Sequence, residues 1–137
     1  MNGINIQDYI KLCIAEDTAV AEALVGGMAH GIMPQGEEPD FPYAIWASVS
    51  TVPKRTKDGI CSLAHQVDIE VVGRDYDSIA DAVSCICDAL EGGIRTWNAQ
   101  TEKDFSINDQ DWEIGQEQFD LEHDGPYRTI SVNIETY

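Results

Sequence analysis

Residues 61–93 read CSLAHQVDIEVVGRDYDSIADAVSCICDALEGG, and the hydrophobic period changes inside them. Up to Val72 the period is two. Cys61, Leu63, Val67, Ile69 and Val71 share one side of an extended chain, while Ser62, Gln66, Asp68 and Glu70 share the other. His65 has the parity of the apolar set. A strand that alternates in this way buries one face and leaves the other in water, as antiparallel sheets do. After Gly73 the period becomes helical: Ile79, Val83, Ile86, Cys87 and Leu90 fall on one stripe, with Asp75 or Asp77 placed to cap the start. Gly92-Gly93 is expected to end this helix, because glycine accepts the left-handed conformation beyond a last turn. The helical stripe is expected to cover the strand's apolar face.

Upstream, Tyr43–Thr51 reads as a partner strand, with Tyr43, Ile45, Ala47 and Val49 inward and Trp46, Ser48 and Ser50 outward. Between the two strands, Val52–Ile60 contains Pro53 and Asp58-Gly59 and reads as a polar hairpin connection. Residues 28–42, with Pro34, Gly36, Pro39 and Pro42, read as a loop. Nearer the start, Ile6, Tyr9, Ile10, Cys13 and Ile14 make one helical stripe. A second short helix, capped by Asp17 or Thr18, carries Val20, Leu24 and Val25 and stops at Gly26-Gly27. Downstream, Phe105–Asp111 and Trp112–Leu121 are strand-like without a clear register, and Tyr127–Tyr137 alternates with Ile130, Val132 and Ile134 inward. Residues 1–137 therefore read as a single α+β domain. The expected fold is a two-layer sandwich, an antiparallel sheet of about four strands with helices packed on one face.

Composition narrows the function. Twenty-five acids against eight bases give a formal charge of −17, which repels nucleic acid and argues against a module held by phosphate contacts. Met1 to Asp8 has no basic start followed by an apolar run, so no signal peptide is expected. No stretch approaches the roughly 18 apolar residues of a membrane helix, and no membrane partner is expected. Cys13, Cys61, Cys85 and Cys87 form no C-x-x-C pair and read as reduced core residues.

The search for chemistry comes out empty. No G-x-S-x-G turn, Walker loop or G-x-G-x-x-G pattern occurs, and His30, His65 and His123 fall in unrelated elements. Asp109-x-Asp111-x-Glu113 has the spacing of a calcium loop, but Ile114 stands where that loop needs glycine. No catalytic residue, cofactor or metal site is expected. Two features point to contacts instead. Lys54, Arg55 and Lys57 place three of the eight bases in one turn, while residues 101–124 hold nine acids and only Lys103 as a base. Trp46, expected on the outward face, is the other candidate for a subunit or partner interface.

The order of motifs resembles a family. "ALVGG" (23–27), "HGIMPQGEEPDFPYAIW" (30–46), "HQVDIEVVGRDYDSIADAV" (65–83) and "FDLEHDGPYRTISVNIETY" (119–137) follow one another as in the tail-completion, or tail-terminator, proteins of long-tailed bacteriophages. The resemblance implies a virion protein of the tail or neck, assembled in the host cytoplasm. It implies a non-enzymatic subunit of a ring, typically of six copies, contacting the tail tube protein and the head connector protein while DNA passes without specific binding. The long 94–113 segment and the two extra cysteines, Cys85 and Cys87, in the helix after Gly73 depart from the family pattern. A small acidic cellular interaction module is the alternative, and a small hydrolase or metal enzyme using the acidic segment is a third reading.

Overall fold

A computed structural model describes residues 6–15, 17–30, 41–56, 59–100, 105–120 and 125–136. The change of period appears as strand β3 (Gly59–Val72) followed by helix α3 (Tyr76–Asn98). Ahead of them stand α1 (Ile6–Ile10), a π-helical turn (Lys11–Ala15), α2 (Thr18–Ala23), β1 (Met28–His30) and β2 (Tyr43–Thr56); after them come β4 (Ile107–Ile114), β5 (Gln118–Asp120) and β6 (Gly125–Thr136). Among the described residues the sheet has six strands in the order β1-β2-β3-β6-β4, with β5 also on β6. All pairs are antiparallel except β1 with β2. The α+β class holds, and the expected count of about four strands is corrected to six.

The two central strands carry the core. Val67, Ile69 and Val71 of β3 lie opposite Val132, Ile130 and Arg128 of β6, and the apolar members of these rungs are fully buried. Ile79, Val83, Ile86 and Leu90 of α3 cover them, joined by Ile6, Tyr9, Ile10, Cys13 and Ile14 from the N-terminal helical segment. Burial of Val67, Ile69, Val71, Ile130, Val132 and Ile134 contributes roughly 10 kcal/mol before chain entropy is subtracted. The N-terminal stripe is the one the sequence predicts. Asp17 caps α2 by accepting from the Ala19 and Val20 amides, and Asp75 caps α3 by accepting from Ser78. Those bonds hold the Asp75 carboxyl below its ordinary pKa.

Several expectations are corrected. Met28–His30 is a strand, because Met28, Ala29 and His30 pair with Ala44, Ile45 and Trp46; the rest of that predicted loop up to residue 40 lies outside the described residues. The predicted connection 52–60 is mostly strand: Lys54 pairs with Ser62, Arg55 with Ile60 and Thr56 with Gly59. Pro53 is tolerated there because, among the described residues, only Ala44–Trp46 of β2 have an outer neighbour in β1, so a missing N–H on the far part of that edge breaks no described ladder. Trp46 faces the core at 4% exposure, since it lies opposite Ile69, and Val49 is exposed at 54% beside a register shift between Ser48 and Ser50. Apolar residues of both parities on β2 made its inward side unreadable until the partner strand set it. Val25 is likewise exposed, not inward.

Gly92-Gly93 does not end α3, which runs on to Asn98. Gly93 instead admits a ring: a Cβ there would stand 2.6 Å from Tyr9 Oη and 3.2 Å from its Cζ. Tyr9 is fully buried, meets Trp97 edge to face, and donates its hydroxyl proton to Gln110 Oε1 at 2.6 Å, whose Nε2 donates to the Leu90 carbonyl at 2.7 Å. One side chain thus ties α1 to α3 and β4. Burial pushes the Tyr9 phenol well above its ordinary pKa, so it stays a proton donor.

The two adjacent glycines should respond in opposite ways. Gly93→Ala drives a methyl into Tyr9 and should cost about 1–3 kcal/mol. Gly92→Ala, with nothing within 4 Å of the added Cβ, should stabilise α3 by about 0.5–1 kcal/mol. Urea unfolding of both variants checks the signs.

Candidate functional site

The alternation that buries one face of the sheet gathers charge on the other. On β3, Asp68 and Glu70 point away from the core; so do Glu135 on β6 and Asp109, Asp111 and Glu113 on β4. Cross-strand pairing sets Glu113 against Ser131, Asp111 against Asn133 and Asp109 against Glu135, so the acids form one continuous field with amides and hydroxyls between them. Asn133 donates to Asp111 at 3.0 Å, Asn108 to Glu135 at 3.1 Å and Ser62 to Glu135 at 3.3 Å. Among the described residues, no Lys or Arg lies within ion-pair distance of Asp68, Glu70, Asp109, Asp111 or Glu113. A shallow depression lies within this face, lined by Ser50, Val52, Gln66, Asp109, Asp111 and Asn133.

Two devices place β4 so that its acids face outward. The Asn98 side chain donates to the Ile107 carbonyl and accepts from the Ile107 amide, both at 2.9 Å, so it stands in for a neighbouring strand at the first residue of β4. Trp97 Nε1 donates to the Phe105 carbonyl at 2.9 Å, and the two rings stack at 4.8 Å. Gln110 and Trp112 then point inward, and Asp109, Asp111 and Glu113 outward. The Asp-x-Asp-x-Glu spacing is therefore strand alternation rather than a cation-binding loop. Among the described residues, no group of three metal-ligating side chains comes together.

The basic cluster is only partly placed. Lys54 and Arg55 lie on β2 next to the hairpin end, beyond Leu63, the last β3 residue that β6 accompanies; Lys57 lies outside the described residues. Trp46, in the core, is removed from the outward surface. His65 is buried at 3% exposure and clamps three strands: Thr51 Oγ1 lies 3.0 Å from its Nδ1 and Thr136 Oγ1 lies 2.9 Å from its Nε2. Both ring nitrogens are thus occupied by hydroxyls, and burial lowers its pKa. His123 lies outside the described residues. Cys13, Cys85 and Cys87 carry free thiols, and burial raises the pKa of Cys13 and Cys87.

A one-sided α+β sheet with an acidic outer field presents a surface for contact and charge, the equipment of a structural subunit. Residues 12–137 match the sequence model of the family described as Tail completion protein gp17. The chain belongs to that family of phage tail-completion proteins and is a structural component of the virion tail. No curated protein matches its sequence significantly. Its fold is similar to a chain in a solved structure titled "Virion of native gene transfer agent (GTA) particle", with a TM-score of 0.70 at 13% identity over 96% of this chain and 90% of that one. No helix among the described residues is long and apolar enough to cross a membrane.

The His65 clamp predicts a pH dependence. Its folded pKa lies below the ordinary value, so the unfolded chain binds the proton more tightly. The stability that the neutral ring contributes is complete above about pH 6.5 and declines as pH falls through and below that value. Unfolding free energies from pH 8 to 5.5 should fall for the parent chain and fall less for His65→Gln.

Proposed function

We propose that this chain is the subunit of a closed ring, six copies in number, that ends the tail tube and joins the tail to the head connector without catalysing a reaction. The match to the tail-completion family over residues 12–137 carries this reading. The acidic face supplies its physical logic: in the ring it lines the channel, so that DNA slides past without binding. A phosphate 10 Å from one carboxylate is repelled by about 0.4 kcal/mol in water, cut to about 0.1 kcal/mol at physiological salt. One acid is therefore negligible. A wall of six acids per subunit, repeated around a narrow channel where field lines are focused, is not.

Lys54, Arg55 and Lys57 are the proposed contact residues of the hairpin tip, meeting an acidic neighbour such as the tail tube protein, the connector protein or the next subunit. Their reversal to glutamate should reduce infectious titre at least tenfold while the melting temperature of the purified chain stays within about 2 °C. An unchanged titre would remove these residues from the interface.

Deleting the gene from its parent phage and imaging the lysate tests the function itself. Unjoined heads and tails, or tails of abnormal length, are expected. Normal infectious virions would refute the ring.

A further inference from the structure

Among the described residues the sheet has two open edges, and they match each other. On one side β1 pairs only with Ala44–Trp46, so among the described residues Ala47–Val52 of β2 have no outer neighbour. On the other side, among the described residues, the sheet ends at β4. The pairing places these edges at the same level. Val52 aligns through Ala64 and Glu135 with Asp109, Ser50 through Gln66 and Asn133 with Asp111, and Ala47 through Asp68 and Ser131 with Glu113. The three antiparallel steps between β2 and β4 also make the edges run in opposite directions.

We infer that, within the ring proposed above, β4 of one copy pairs antiparallel with the Ala47–Val52 edge of β2 in the next copy, so that the sheet continues from subunit to subunit. The inference rests on that ring reading and names its interface. A rotation about an axis along the strands brings a β4 edge against a β2 edge at equal height with antiparallel polarity, and this heterologous contact closes when the rotation does. A two-fold pairing of β2 with β2 would use one edge and leave β4 bare.

Side chains at the edges favour the same partner. Exposed large apolar residues occur along both: Val49 and Val52 on β2 at 54% and 55%, and Ile114 on β4 at 40%. Charge does not oppose the contact, because Asp109, Asp111 and Glu113 on β4 come level with Val52, Ser50 and Ala47 on β2, none of which is charged. Pro53 has no N–H to offer a neighbour, which limits the pairing to the residues before it. Continuation of the sheet also keeps the acids of every copy on one surface, and exposed edges of this kind are otherwise templates for uncontrolled association.

The test uses assembled particles. Ser50→Cys is combined in turn with Asp109→Cys, Asp111→Cys or Glu113→Cys, three registers that keep the face, and joined particles are oxidised and run on a non-reducing gel. At least one pair should give a ladder of multimers up to the ring, whereas Ser50→Cys with Asp81→Cys on the exposed side of α3 should not. Joined particles that contain the protein but yield no ladder from any register overturn the edge pairing and leave the ring standing. Joined particles that lack the protein overturn both. Should the cysteine variants fail to assemble, hydrogen exchange on the unsubstituted protein decides. Amides of 47–52 and 109–113 should slow together, by at least tenfold, between free chain and isolated tails, and unchanged exchange at both edges overturns the pairing.

Discussion

Burial of Val67, Ile69 and Val71 with Ile130, Val132 and Ile134 beneath α3 is the interaction on which the other features depend. Because one face of the central strands is spent on the helices, alternation leaves the other face to Asp68, Glu70 and Glu135. β4 joins that sheet with its own acids in phase. A chain with −17 formal charge tolerates the resulting repulsion because the acids stand in water, spread over strands, while the apolar residues are collected elsewhere.

Tyr9 connects this core to its periphery. Its ring needs the space left by Gly93, and its hydroxyl needs Gln110, which in turn reaches the Leu90 carbonyl. Helix, helix and edge strand are therefore locked by one partly buried polar chain, satisfied at each link, and such chains favour a single arrangement. The Asn98 and Trp97 bonds act on the same region and orient the start of β4. The acidic field owes its extension onto β4 to these contacts.

The proposed assembly role follows from surfaces rather than from a pocket. The fold offers one acidic sheet face, a hairpin end with basic residues in its sequence, and two edges of matched height and opposite direction. Each is a property of the whole sheet, and none depends on a cofactor or a rare side-chain geometry. For a tail-completion protein with a structural role in the virion tail, surfaces are where the proposed function resides.

Much was legible from residues alone, where the pattern was unambiguous. The alternation in 61–72, the stripe in 79–90, the N-terminal stripe and the strand carrying Ile130, Val132 and Ile134 determine a one-sided sheet under helices, since period and polarity agree at each position. The order of motifs likewise resembled that of the tail-completion family. Only tertiary structure decided the rest. Trp46 turned inward because a strand with apolar residues of both parities takes its face from its partner, here Ile69. Gly92-Gly93 passed through a helix because Tyr9, more than eighty residues away in sequence, needed the space at Gly93. The short β1 and the register of β4 came from pairing partners and from Asn98, contacts between segments that no local pattern encodes.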